Sequence, residues 1–379
     1  MINKNINLFG INHKNPIIPH FLKYRKKLYF VLCSILEQNK SFIMIEYKPL
    51  VGEKLTKLSD VLPLDMPISL MIDPSNLCNF RCSFCPTGEK SLLGEYKRPK
   101  GMMSYELYEK ILNQISDYQK GTVHKIKSLL LYKDGEPLLN KKLPEMIKLA
   151  KKLNICKHVL VTTNASFLDE EYSEKLLNAG LDSLRVSVQS LTQENFHKIT
   201  RTKLNYEKIK SNVKKFYELR NKMKKNTQVI VSYVDSENFD ESIKSKFVDE
   251  CEKFTDRVII HPVMGWTRSE VYDWRNGIKR KENGELKVCP DPFSRFTVNF
   301  DGTVSVCCVD WSHGTLVGDL NNETFSDVWN GKRLKEFRML HLQGKRSEIG
   351  PCKNCDYIKD KKSSEDIDGI CDKLIKLYS

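Results

Sequence analysis

A chain of 379 residues that is 40% hydrophobic and 29% charged, with no long low-complexity tract, excludes a disordered protein and holds enough apolar sequence for a barrel-sized domain and a smaller one. Its formal charge of +14 comes from lysines scattered over the whole length, which reads as solvated surface; no aromatic-interleaved basic patch marks a nucleic-acid module, and no DNA partner is expected. Twelve cysteines without a secretory signal exclude a disulfide framework and imply a reducing compartment, the cytoplasm, with metal or redox work for the thiols.

Residues 1–66 form an N-terminal extension with no readable role. Within it LYFVLCSIL at 28–36 follows Lys23, Arg25, Lys26 and Lys27. A helix of that length rises about 14 Å against a hydrocarbon core of about 30 Å, so it is too short to span a membrane and is expected to pack on the outside of the domain. From residue 68 short apolar runs alternate with amphipathic stretches, the rhythm of a parallel α/β sheet. Strands are predicted at 68–72, 126–132, 158–162, 183–188, 229–234 and 257–261, and helices at 105–118, 143–153, 170–179, 206–222 and 241–254. Strands each followed by a crossover give a partial (β/α)6 TIM-like barrel, placed at 67–275, whose site lies at the carboxyl ends of the strands. Residues 263–288 break the rhythm with Gly265, Trp266, Trp274 and Gly277, which marks a junction. A small α+β domain follows at 280–379. In it FTVNF-DG-TVSVCCV reads as a hairpin on a two-residue Asp301-Gly302 turn, with a helix at 325–342.

Directly after the first strand comes CNFRCSFC, which spaces Cys78, Cys82 and Cys85 on one tight loop. Three thiolates there can bind three irons of a cubane and leave the fourth iron open to a small chelating molecule. A zinc knuckle is the competing assignment, but residues 86–100 offer no Cys or His as a fourth ligand. The pattern C-x3-C-x-Phe84-C resembles the radical S-adenosylmethionine (SAM) superfamily. That resemblance implies a [4Fe-4S] cluster on Cys78, Cys82 and Cys85 and SAM as cofactor. It also implies SAM-binding roles elsewhere. Phe84 is expected near the adenine. Asp134-Gly135-Glu136-Pro137 is similar to the family's Gly-Gly-Glu-Pro, with Gly135 and Glu136 on the amino group of the methionine. Thr162-Thr163-Asn164-Ala165 is similar to Thr-Thr-Asn-Gly, with Thr163 and Asn164 at the site. Ser187 and Gln189, two apart on one strand face, match positions that contact the ribose or carboxylate; a plain polar barrel rim is the other account of them.

Cys289, Cys307, Cys308, Cys352 and Cys355 crowd the second domain. Cys307 and Cys308 are expected to point to opposite faces of a strand, so that one of them serves a metal. The order Cys289, Gly302, Cys307, then Cys352-x2-Cys355 resembles the SPASM domain or its shortened twitch form. It implies a second, auxiliary [4Fe-4S] cluster on Cys289, Cys307, Cys352 and Cys355; a four-cysteine zinc ribbon competes with it.

The resemblance implies a 5′-deoxyadenosyl radical that takes hydrogen from a substrate, while the auxiliary cluster accepts an electron. Single-cluster relatives resemble aminocyclitol dehydrogenases. The expected activity is therefore that of a radical oxidoreductase acting on a sugar or cyclitol hydroxyl, fed by a reductant such as flavodoxin or ferredoxin. Asp310, three residues past Cys307, is the candidate base, against the simpler role of capping a loop. Cys308 is a candidate hydrogen donor, which would give epimerisation. Cys33, Cys156 and Cys251 are expected to serve packing. A peptide maturase, an RNA-modifying enzyme and a non-catalytic zinc module are the alternatives.

Overall fold

Strand residues alternate between a wholly apolar face and a mixed one. β1 (Ser69–Ile72), β2 (Ser128–Leu131), β3 (His158–Thr163), β4 (Ser183–Val188), β5 (Gln228–Asp235) and β6 (Arg257–Pro262) lie side by side in chain order, every neighbouring pair parallel. In this computed structural model the described residues are 57–379 apart from 238, 274 and 276–285. They belong to one compact unit spanning 47–379. The helix expected at 28–36, Cys33 and part of the junction lie outside the described residues. Leu58, Leu62, Leu64 and Met66, at the end of the expected extension, are buried in the main core.

The helices are α1 (Lys90–Glu95), α2 (Tyr105–Gln119), α3 (Leu143–Lys152), α4 (Glu170–Asn178), α5 (Gln193–Thr200), α6 (Tyr206–Lys222) and α7 (Glu241–Cys251). Ser104, Asp169, Thr192, Asn205 and Asp240 each accept a backbone N–H of the first turn, which fixes where α2, α4, α5, α6 and α7 begin. Leu70, Ile72, Val159, Val161, Leu184 and Val186 join the core with these helices, and so does Cys251, with Cys156 packed against it. The alternate residues Met71, Tyr132, Thr162, Arg185, Ser187, Ser232 and His261 therefore face the inside of the half-barrel. Arg185 bridges this inner face: its Nε donates to Thr162 Oγ1 at 3.0 Å and its guanidinium lies over the Tyr132 ring.

The C-terminal segment joins the same sheet. After α8 (Asp291–Ser294), β7 (Arg295–Val298) pairs parallel with β1, from Ser69↔Arg295 to Ile72↔Val298. β8 (Thr303–Ser305) and β9 (Leu316–Asp319) follow antiparallel, which completes an open sheet of 9 strands in the order β6-β5-β4-β3-β2-β1-β7-β8-β9. The hairpin turn differs from expectation. Asn299 N donates to Thr303 O, and Gly302, at φ +86°, closes a three-residue loop, the conformation that favours glycine there. The expected helix 325–342 is two, α9 (Phe325–Trp329) and α10 (Lys332–Leu342). They part at Gly331, where a Cβ would stand 2.1 Å from the Asp327 carbonyl oxygen. Strand β9, helices α1 and α5, and α11 (Cys371–Tyr378) were not expected.

Candidate functional site

The loop that leaves β1 carries Cys78, Cys82 and Cys85. Arg81 N and Ser83 N donate to the carbonyls of Thr200 and Ile199, which pins the loop to the end of α5, and Cys85 N donates to Cys82 O in a tight turn. Cys78 is the exposed thiol of the three. Burial of the surrounding loop pushes the Cys78 thiol up to about 12 and Cys82 well above its ordinary value, and the neighbouring thiols add to both shifts. Half-buried Phe84 sits in the same loop.

Gly135 and Glu136 meet this loop from the end of β2. A Cβ on Gly135 would lie 2.1 Å from Ser75 O and 2.4 Å from Leu77 O, so only glycine allows the approach, and Glu136 N donates to Leu77 O at 2.8 Å. The Glu136 carboxylate does not stand open. It accepts from Thr163 Oγ1 (2.6 Å), Asn164 N (2.7 Å) and Leu138 N (3.0 Å). Asn164 donates to Asn79 Oδ1, next to Cys78, and accepts from Ser166. Glu136, Thr163 and Asn164 thus brace the cysteine loop against β3. Ser187 and Gln189 share the inner face, and the buried Gln189 Oε1 has no hydrogen-bond partner.

A second polar group stands at the inner mouth. Asp73 follows β1 on the inner face and is fully buried, and neither of its carboxylate oxygens has a hydrogen-bond partner among the described residues. Beside it, Asp134 accepts from Arg98 Nη2 at 2.8 Å and from Lys133 Nζ, with His313 at 3.7 Å. Burial and the Asp134 charge push Asp73 up to about 7; Lys133 and Arg98 outweigh burial at Asp134 and hold it well below the usual range. The only signal of this group in the sequence was Asp134, standing where the resembling motif has its first glycine; Asp73 was not singled out. Arg98, Lys133 and His313 carried none.

The C-terminal segment covers the inner face. Cys307, Cys308 and Val309 pack with Met71, Leu130, Tyr132, Trp266 and Tyr357, and Lys133 Nζ donates to Asp310 O at 3.1 Å. The carboxylate of Asp310, the candidate base, accepts from Ser312 Oγ, Gly314 N, Thr315 N and Thr315 Oγ1 and so shapes its own loop. One expectation is corrected here. Cys307 and Cys308 do not lie on a strand. β8 ends at Ser305, and the turn that follows brings both thiols to Asp291 Oδ2, at 3.9 and 3.6 Å.

Cys289, Cys307, Cys352 and Cys355, without Cys308, line one cavity. Among the described residues the one group of three or more candidate ligands with all ligand atoms within 4.8 Å of one another is Asp291, Cys307 and Cys308. Neither the loop triad nor the cavity thiols meet that spacing, whereas tetrahedral zinc with Zn–S bonds of about 2.3 Å draws its sulfurs to roughly 3.8 Å. Among the described residues, then, neither thiol set is drawn together as tightly as a single zinc ion would draw it.

Comparison with known proteins bears on the same two regions. Among curated relatives, the GTP 3′,8-cyclase of Aquifex aeolicus (strain VF5) is 30% identical over 211 residues, 55% of this chain and 62% of the relative. The GTP 3′,8-cyclase of Clostridium botulinum (strain Hall) is 33% identical over 132 residues, 35% and 38% of the two chains. The chain thus spans less than two thirds of the length of these relatives. Solved structures share the fold. Streptococcus suis SuiB bound to S-adenosylmethionine has a TM-score of 0.54 at 17% identity, over 83% of this chain and 78% of that one. Native anSMEcpe with bound AdoMet has a TM-score of 0.53 at 17% identity, over 82% and 96%. Residues 72–245 match the radical SAM superfamily model and residues 289–356 the SPASM model, an iron–sulfur cluster-binding domain, which together imply SAM and two [4Fe-4S] clusters as cofactors. Residues 72–245, with the three-cysteine loop after β1, thus form a radical SAM domain, and residues 289–356, with the cysteines that line the cavity, a C-terminal SPASM domain.

Proposed function

We propose that the chain dehydrogenates a hydroxyl-bearing small molecule of the sugar or cyclitol kind. In this proposal Cys78, Cys82 and Cys85 ligate the cluster that binds SAM, and Cys289, Cys307, Cys352 and Cys355 ligate the auxiliary cluster. The core is 67–275, the auxiliary domain 280–379, the compartment the cytoplasm, and the reductant a flavodoxin or ferredoxin. Bound together, these cofactors supply a hydrogen-abstracting radical and an electron acceptor.

The observation that carries the proposal is Asp73, a buried carboxyl with both oxygens unpartnered on the inner face of the barrel. Asp134 Oδ1 and Thr297 Oγ1 are also buried without partners. Each such acceptor costs about 1–3 kcal/mol until a donor reaches it, and a substrate hydroxyl is such a donor. Asp73 lies near neutrality and is suited to take the hydroxyl proton. Arg98 and Lys133 hold Asp134 in place beside it, and the turn at 307–309 packs against Met71, Leu130 and Tyr132 of the inner face.

Anaerobically reconstituted protein, given SAM and a reductant, is expected to release 5′-deoxyadenosine, and the Cys78→Ala/Cys82→Ala/Cys85→Ala variant to release none. With a panel of sugars, cyclitols and peptides, mass analysis is expected to find a two-hydrogen loss on a sugar or cyclitol. Asp73→Asn should abolish that loss while still releasing 5′-deoxyadenosine. A second possibility is epimerisation, favoured by the packing of Cys308 against Met71, Leu130 and Tyr132. It predicts solvent deuterium in the product at unchanged hydrogen count, lost in Cys308→Ala.

A further inference from the structure

The cavity lined by the four cysteines holds one polar side chain that no hydrogen bond among the described residues satisfies. His341, on α10, is 1% exposed and lines this cavity with the four cysteines, yet neither ring nitrogen has a hydrogen-bond partner. Its ring is held in place by Phe337, one turn earlier, whose ring stacks on it at 5.1 Å and 21°. Other polar groups of the wall are engaged. Asp291 pairs with Lys361, the Thr267 hydroxyl donates to Val309 O, and Arg346 Nη1 donates to Cys352 O (3.0 Å) and Cys355 O (3.3 Å). Burial and the Arg346 charge push the imidazole down to about 4, so it is neutral and carries one N–H. A buried imidazole left without partners costs free energy that an acceptor inside the cavity would recover.

We propose that His341 donates this N–H to a sulfur of the auxiliary cluster and thereby raises the cluster's reduction potential. The proposal rests on the assignment of Cys289, Cys307, Cys352 and Cys355 as ligands of that cluster. A hydrogen bond to cluster sulfur favours the reduced form, which carries more negative charge, so losing the donor lowers the potential. His341 acts through the cluster and is a positioning residue.

The test uses the full chain with Cys78→Ala, Cys82→Ala and Cys85→Ala, so that one cluster of about four irons remains. In redox titrations followed by electron paramagnetic resonance, adding His341→Phe is expected to keep the iron and cut the reduced-to-oxidised ratio at fixed potential about tenfold, a shift of roughly 59 mV to the negative. His341→Gln, which retains an N–H donor, should recover part of the shift. Full iron with an unchanged midpoint in His341→Phe overturns the proposal. Should that variant load no iron, 15N-histidine labelling of the parent protein decides instead. A weak nitrogen coupling to the reduced cluster supports the hydrogen bond; no coupling, or one as strong as direct ligation, overturns it. A parent protein that binds zinc and no iron would instead overturn the ligand assignment itself, and this proposal with it.

Discussion

Asp73 carries a sign that can be checked through folding. In the unfolded chain its carboxyl ionises near the ordinary value of 3.8; in the folded protein burial and Asp134 push it up to about 7. Between those values the folded protein holds a proton that the unfolded chain has released, so stability falls as pH rises through this window. Asp73→Asn removes the titration. Its stability relative to the parent should therefore grow from about pH 4 to 7 and level off above, by roughly 2–4 kcal/mol in denaturant titrations; a flat difference would mean the carboxyl is solvated. Ala165 makes a simpler case. It sits at φ +58°, the left-handed region, at the place where the resembling motif has glycine. Ala165→Gly relieves about 1–2 kcal/mol of strain but gives up a buried core methyl of about 0.8 kcal/mol and adds entropy to the unfolded chain, so urea unfolding should find a change of less than about 1 kcal/mol.

Among the elements, the joint between the end of β2 and the cysteine loop is the tightest. Gly135→Ala would drive a methyl into the carbonyls of Ser75 and Leu77 and displace the loop that carries Cys78. Iron content is expected to fall from about eight to about four per chain, with 5′-deoxyadenosine release lost and the fold retained by circular dichroism. This joint was legible before the fold, because Gly135-Glu136-Pro137 and the cysteine spacing are written in adjacent residues. The parallel strands were legible too, since they are short, mostly apolar runs set between longer amphipathic stretches. Helix α5 was not. Its buried Phe196 and Ile199 lie just before the longer α6, and the expectation of one helix per crossover hid it. The inner-mouth group of Asp73, Arg98, Lys133 and His313 comes from four separate segments, and no local pattern announces it. For Asp310, proximity to a cysteine in sequence gave no account of the four donors that its own loop supplies.

Across the whole molecule, the sheet ignores the boundary between the two matched families. β7 is hydrogen-bonded along β1, and the turn after β8 covers the inner face of the barrel. A chain ending at residue 263 would bare the β1 edge and the apolar surface of Met71, Leu130 and Tyr132. It is expected to be insoluble or to bind hydrophobic dyes, as judged by soluble yield against the full chain.

The clasp of β1 between β2 and β7 has a further consequence. A slip of one residue in that short strand would turn Asp73 outward into the helices and drag the thiol loop off the rim, so both neighbours act as a lock on its alignment. Loops elsewhere around the opening are free of that duty. New substrate preferences can arise there by insertion or exchange, while the gauge that separates the two iron-binding places stays the same.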